Sequence, residues 1–264
     1  ARELLDRVPE GKSRLEAIGS LVSALSYEEP QIAAELLLLL PGPKQHSAHS
    51  IASHLAKENI NEALAWAAKL SSDEVRSQVI GSIVRTWSET DPKAAAMYCA
   101  ETTLPEGRSW MLGNAVGAWA EEEPREALAW AQKLSKQAQR STALTAAITK
   151  MAMKFPEEAI RSVNLLADDD ERRQALHDIG SSWAEKDPIR AATWALQMQK
   201  RETDSDYIGG VLGEWASNDA ESAARWTESL ALGPARDSAV TAFSHALMDQ
   251  DPQGASAWAG TVQN

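Results

Sequence analysis

Apolar residues recur along the chain in two alternating stripes, each with the spacing of an amphipathic helix. In the first stripe the second, third and fourth members follow the first by three, four and seven positions, as in Ile80, Ile83, Val84 and Trp87. The most constant member of the second stripe is an alanine, found at Ala33, Ala63, Ala95, Ala127, Ala159, Ala191, Ala223 and Ala255. Because such spacing puts apolar side chains on one helical face, the pattern predicts pairs of helices, called helix A and helix B.

A proline at the corner between helix A and helix B marks a period of 32 residues. The corner position falls at Pro92, Pro124, Pro156, Pro188 and Pro252, has Ala220 in the one gap, and continues back to Ile60 and Pro30. Proline suits the first position of a helix, since its fixed φ is helical and its missing N–H is not needed there. The sequence predicts eight repeats with corners at 30, 60, 92, 124, 156, 188, 220 and 252, after a partial repeat over residues 1–9.

The residues near each corner predict how the helices join. Aspartate precedes four of the corners, at Asp91, Asp187, Asp219 and Asp251, where its carboxylate can accept the free backbone N–H groups of helix B. A basic residue recurs sixteen positions before the corner, at Arg14, Lys44, Arg76, Arg108, Arg140, Arg172 and Arg236. We expect these cations to lie beside the free carbonyls at the end of the preceding helix B. The alternative is a basic ridge for an acidic partner.

One two-helix unit cannot bury both of its apolar stripes, so neighbouring units must stack. The sequence therefore predicts an all-α fold over residues 1–264, a single repeat domain that forms an α-solenoid of about eight antiparallel two-helix repeats. Residues 1–9 fit a helix B, and neither end shows a polar capping helix, so we expect further repeats or another subunit to cover the ends.

The array resembles the tetratricopeptide-repeat family in its paired short helices, its small residue early in helix B and the large aromatics beside that residue, as at Ala127 and Trp130. The resemblance implies a right-handed superhelix and a role in binding a protein or peptide, and it brings no catalytic residues. The chain differs from the family in its 32-residue period, in the Trp three residues after the alanine, and in a proline that opens helix B rather than closing it.

Tryptophan makes up 10 of the 15 aromatic residues, and nine of the ten occupy two repeat positions. We expect these nine to form the core: Trp66, Trp87, Trp119, Trp130, Trp183, Trp194, Trp215, Trp226 and Trp258. Trp110 stands at a position that is polar in every other repeat, so it is a candidate anchor for a partner. The alternative for Trp110 is lateral packing on a neighbouring helix.

Small polar residues and glycines line the same side of helix A, which predicts close helix approach and a concave groove for an extended peptide or a partner helix. The residues predicted to bind the partner are Trp110, His46, Arg85, Asn114 and Asp178. The alternative is a narrow groove filled with water.

Charge and composition exclude several classes of function. A net charge of −12 leaves no basic surface for a phosphate backbone, so we expect no nucleic acid partner. The longest strongly apolar run, residues 36–40, is too short to span a membrane, and the N-terminus lacks a signal-peptide profile. We expect a soluble protein, without assigning a compartment. The single cysteine, Cys99, excludes an intrachain disulfide and is predicted to be a small buried residue.

No motif for catalysis, phosphate binding or a cofactor is present. His46, His49 and His54 are spaced as metal ligands could be, but no local acid or cysteine completes a set, so we expect no metal and no cofactor. The acidic run 168–171 is expected to start a helix.

The leading hypothesis for function is a non-catalytic scaffold that binds a protein or peptide in the helix A groove. One alternative is an enzyme of the α/α-toroid type that acts on a carbohydrate or an isoprenoid, with Asp178 and Asp206 facing a central cavity. A second alternative is a purely structural spacer.

Overall fold

The computed structural model of the protein describes residues 10–42, 45–102, 109–199 and 206–262. Within those ranges it contains fifteen α-helices, one short 3-10 helix at Val163–Leu165 and no strand. The all-α prediction is therefore confirmed. The predicted partial repeat over residues 1–9 and the basic positions Lys44 and Arg108 lie outside the described residues.

The chain divides into two compact units, Ala1–Glu122 (unit 1) and Glu123–Asn264 (unit 2), each of which is described by itself. The helices of unit 1 are α1 (Lys12–Leu25), α2 (Pro30–Leu37), α3 (Gln45–Glu58), α4 (Ile60–Ala67), α5 (Asp73–Ser88), α6 (Pro92–Glu101) and α7 (Ser109–Glu122). Those of unit 2 are α8 (Pro124–Ala131), α9 (Gln137–Ala152), α10 (Pro156–Ser162), α11 (Asp169–Ala184), α12 (Pro188–Gln199), α13 (Tyr207–Ser229), α14 (Pro234–Leu247) and α15 (Pro252–Ala259). The single repeat domain over residues 1–264 stays a prediction.

The second helix of each predicted pair begins where the corner chemistry places it. Proline is the first residue of α2, α6, α8, α10, α12 and α15. The carboxylates of Asp91, Asp187 and Asp251 accept backbone N–H groups at 3.0, 3.2 and 2.9 Å. Asp219 caps in the same way inside α13, and its φ of −152° and ψ of 80° divide that helix into two helical halves. The predicted role of these four aspartates is confirmed.

The constant alanine lies in the core of both units. None of its eight copies is more than 4% exposed. Helices pack on their near neighbours in the chain: in unit 1, α5 lies against α3, α4, α6 and α7, and in unit 2, α11 lies against α9, α10, α12 and α13. A larger side chain at the alanine position would hold these helices apart, since protein interiors leave few voids to absorb extra volume.

The nine tryptophans predicted to form the core are buried or half-buried. Four of them are 7% exposed or less: Trp66, Trp119, Trp183 and Trp215. Two of these rings meet a tryptophan from the other repeat position, with centroids 6.2 Å apart for Trp183 and Trp194 and 5.6 Å apart for Trp215 and Trp226. Tilted pairs of this kind add about 0.5–1.5 kcal/mol to the stabilisation from buried area. The tryptophan excess is thus one packing solution used several times.

In two repeats the recurring basic residue ties the end of one helix B to the next helix A. Nη1 of Arg140 donates to the carbonyl of Leu134 at 2.9 Å, and Arg172 donates to the carbonyl of Leu166 in the same way. Arg236 differs, because it donates to the carbonyl of Thr261 at 3.3 Å, after the following helix α15. The structural interpretation of these cations is confirmed at Arg140 and Arg172.

Candidate functional site

Four of the five predicted binding residues lie in unit 1, on three helices that pack side by side. His46 is on α3, Arg85 on α5, and Trp110 and Asn114 are on α7, while α5 packs against both α3 and α7. The surface called here the helix A face of unit 1 consists of His46, His49, Gln78, Gly81, Ser82, Arg85, Trp110 and Asn114.

His49 links α3 to α5 on this face. Its Nδ1 atom lies 2.8 Å from the hydroxyl oxygen of Ser82, a residue that is only 5% exposed. Burial lowers the pKa of His49 below its usual value of 6.5, a hydrogen bond with Gln78 opposes that shift, and the charges of Arg85 and His46 lower the pKa further. The neutral imidazole is therefore favoured, and His46 and Arg85 lie near enough to act on it. This contact is not evident from the sequence.

Trp110 links α7 to α5 and yet stays half-exposed. A Cβ atom placed on Gly81 would lie 3.0 Å from the Trp110 ring and 3.0 Å from the Cε atom of Met111, so the ring lies directly against the glycine. Trp110 is nevertheless 42% exposed. Lateral packing and exposure, which the sequence poses as alternatives, are therefore both present, on opposite sides of one ring.

The three polar members of the predicted site point into solvent. His46, Arg85 and Asn114 are exposed, and none of them forms a hydrogen bond or an ion pair within the described ranges of the chain. Glu89 follows Arg85 by one helical turn on the sequence, but the two side chains form no ion pair. The face thus presents a guanidinium, an imidazole and an amide whose hydrogen-bonding capacity is directed to water.

Asp178, the fifth predicted residue, belongs to unit 2. It lies half-buried on α11, accepts a hydrogen bond from Nε2 of Gln174 at 2.8 Å, and has Nδ1 of His177 at 3.7 Å. The structure therefore brings together four of the predicted residues and places Asp178 in the other unit.

Unit 2 contains a pocket that includes Asp206, one of the two acids that the enzyme hypothesis places at a central cavity, while Asp178 is not among its described lining residues. The pocket has a volume of about 420 Å³ and is lined by Asp206, Asp237, Ser238, Thr241, Ala242 and His245. One oxygen of Asp206 also accepts the backbone N–H of Gly209 at 2.9 Å, so this carboxylate caps α13. The glycines inside α13 do not signal this pocket, because a Cβ atom on Gly213 would meet no atom within 4 Å whereas one on Gly210 would lie 2.6 Å from His177.

The other candidate chemical groups have structural roles. Within the described ranges, no three His, Cys, Asp or Glu side chains are grouped as a metal ion would need. The carboxylate of Asp168 accepts the backbone N–H groups of Asp170 and Glu171 and so caps α11. Cys99 is fully buried, and burial raises the pKa of its thiol to about 12, which suppresses the nucleophilic thiolate at neutral pH.

No family model, no curated protein and no solved structure matches the chain. The resemblance to the tetratricopeptide-repeat family therefore stays a prediction that rests on the residues quoted for it. In the part of the chain that the structure describes, no helix has both the length and the apolar character needed to cross a bilayer.

Proposed function

We propose that the protein is a non-catalytic interaction scaffold, a tetratricopeptide-like α-solenoid of about eight repeats that binds a protein or peptide segment on the helix A face of unit 1. The observation that carries this proposal is the placement of Trp110, with one side of its ring against Gly81 and 42% of the residue exposed. A side chain ordered before binding loses little conformational entropy when a partner covers it. Tryptophan is also among the residues most enriched in interface hot spots.

Two features support the repeat architecture. The helices that open with Pro92, Pro124, Pro156 and Pro188 begin at a constant spacing, and equivalent carboxylates cap several of them. Within each unit, helices contact others that are close in the chain, as stacked repeats require.

The polar neighbours of Trp110 support a peptide as the partner. Asn114 lies one helical turn after Trp110, and its exposed amide can both donate to and accept from the backbone of an extended segment. Arg85 and His46 supply charged or polar contacts on the adjoining helices. An apolar anchor with separate hydrogen-bonding groups around it is the usual composition of a binding surface.

A displayed library of random peptides, selected against the 264-residue protein, tests the proposal. We expect enriched peptides whose binding falls at least tenfold, about 1.4 kcal/mol, in Trp110→Ala and falls measurably in Asn114→Ala. Phe155→Ala is the matched control, because Phe155 is an aromatic residue of unit 2 that is 37% exposed and lies off this face. Its removal should leave peptide binding unchanged.

Measurements of stability distinguish a variant that has lost peptide binding from one that has lost its fold. Trp119 is 3% exposed, so Trp119→Ala should cost about 3–5 kcal/mol, whereas the half-exposed Trp110 should cost about 1–2 kcal/mol. Asn114→Ala changes an exposed amide and should alter stability by less than about 0.5 kcal/mol, so it reports on binding even if Trp110→Ala is poorly folded. Peptides that bind both variants as well as wild type would contradict the proposal, and a library without enrichment would favour the spacer.

The enzyme hypothesis has one observation in its favour, the unit 2 pocket that contains Asp206 and His245. Asp206 is already engaged as the N-cap of α13, where its Oδ1 atom accepts the backbone N–H of Gly209. Hydrolysis of a carbohydrate panel that is lost in His245→Ala would favour the enzyme over the scaffold.

A further inference from the structure

We propose that the helix A face of unit 1 binds an internal acidic side chain, Asp or Glu, of an extended peptide, with Arg85 as its main partner and Trp110 covering the apolar residue beside it. This inference rests on the proposed function and specifies the chemistry of the partner.

Within the described ranges, Arg85 differs from most arginines because its side chain has no hydrogen-bond or ion-pair partner. Hydrogen bonds or ion pairs engage the arginines at Arg76, Arg125, Arg140, Arg172, Arg173, Arg190, Arg225 and Arg236. Among the described residues, the side chains of Arg85 and Arg161 form no hydrogen bond and no ion pair, although the charge of Arg161 acts on Glu158. The chain has 38 acidic and 26 basic side chains, so an arginine without a carboxylate contact is not explained by a shortage of acids.

The guanidinium of Arg85 carries the positive charge of this face, and two imidazoles lie near it. The charges of Arg85 and His46 both act on His49, which places the three groups close together across α3 and α5. His49 itself is engaged by Ser82 at 2.8 Å and by Gln78, which leaves the guanidinium of Arg85 and the ring of His46 to meet a ligand. A carboxylate is complementary to this group, and arginine can bind it with two parallel hydrogen bonds.

The position of Trp110 indicates that the peptide has an apolar side chain close to its acidic one. Gly81, which lies against the Trp110 ring, precedes Arg85 by one helical turn on α5, so the ring and the guanidinium are neighbours on the same face. A peptide with an apolar side chain close to an acidic one can therefore use both contacts. Asn114 follows Trp110 by one turn on α7 and is also exposed, so the face extends along that helix as well as across α3 and α5. A chain that crosses α3, α5 and α7 passes Arg85 in its middle, and for this reason we assign an internal side chain rather than a terminal carboxylate.

The test uses peptides recovered from the library, synthesised with acetylated N-termini and amidated C-termini. We expect a fixed acidic position, and replacing that Glu or Asp by its amide should weaken binding to wild type about fivefold. In Arg85→Gln the acid and amide peptides should bind within about twofold of each other, since the partner of the carboxylate is gone. Arg161→Gln is the matched control, because it removes an exposed arginine whose side chain forms no hydrogen bond, on α10 of unit 2.

The possible outcomes separate this inference from the proposed function. Peptides that need Trp110 but show no acidic position, and that bind Arg85→Gln normally, would overturn the inference and leave the scaffold intact. Binding that requires a free C-terminal carboxylate, or a phosphorylated residue instead of Asp or Glu, would also overturn it. A library without any Trp110-dependent peptide would overturn both.

Discussion

His49 connects two helices through one hydrogen bond, and charged groups on those helices affect its pKa. Its imidazole bonds to Ser82 on α5, and burial, together with the charges of Arg85 and His46, keeps its pKa below 6.5 despite the hydrogen bond with Gln78. Folding therefore favours the neutral ring over the protonated one. Because a proton binds the unfolded chain more readily at this residue, the free energy of unfolding must depend on pH here.

We expect the stability contributed by His49 to be fully present above its unfolded pKa, about 6.5, and to be lost as the pH falls from there toward the lower folded-state pKa. Urea unfolding of wild type and His49→Gln at about pH 7.5 and about pH 5 measures this effect, since the histidine titrates between those values. The free energy of unfolding should fall more in wild type than in the variant between these pH values. Groups other than His49 titrate in both proteins, so their effects cancel when the two changes are subtracted. If the two proteins lose equal free energy of unfolding between the two pH values, folding does not lower the pKa of His49.

The glycines inside helix A provide a test at the level of the helix. A Cβ atom on Gly180 of α11 would lie 2.8 Å from the Trp194 ring and 3.1 Å from Val211, whereas one on Gly213 of α13 would meet nothing within 4 Å. Gly180→Ala should therefore destabilise the fold by about 1–3 kcal/mol through overpacking. Gly213→Ala should stabilise it by about 0.5–1 kcal/mol, because alanine has the higher helix propensity. Thermal or urea unfolding of the two variants measures both changes in stability. If both substitutions stabilise the protein, or both destabilise it, the packing argument is contradicted.

These two glycines also show what the sequence could and could not predict. The helix starts at Pro92 and its capping Asp91 were predictable because the cause lies in adjacent residues. Gly180 and Gly213 look alike in sequence, and only the position of a neighbouring ring separates them. The same holds for the candidate site: repeat position put Arg85 and Trp110 on one face, but the contacts with Ser82 and Gly81 depend on how far side chains reach between helices.

At the scale of the whole molecule, the repeat pattern and the compact units divide the chain differently. The division falls between Glu122 and Glu123, inside the fourth predicted repeat, where α7 ends and α8 begins. The sequence shows no break there, because Trp119 and Pro124 occupy their usual repeat positions. Repeat periodicity reports local helix pairing, whereas the density of contacts between neighbouring repeats is a tertiary property that the period does not contain.

If the helices stack as repeats, damage to one repeat should spread only to its neighbours. Trp215 on α13 is 4% exposed and pairs with Trp226, so Trp215→Ala should cost about 3–5 kcal/mol. Since α13 packs against α11, α12 and α14, hydrogen exchange should accelerate most in those helices and least in α8. Glu228→Gln, which changes an exposed side chain on the same helix, should alter no helix measurably. An equal loss of protection in every helix of unit 2 would instead indicate one cooperative core, because only nearest-neighbour coupling predicts an effect that decays along the chain.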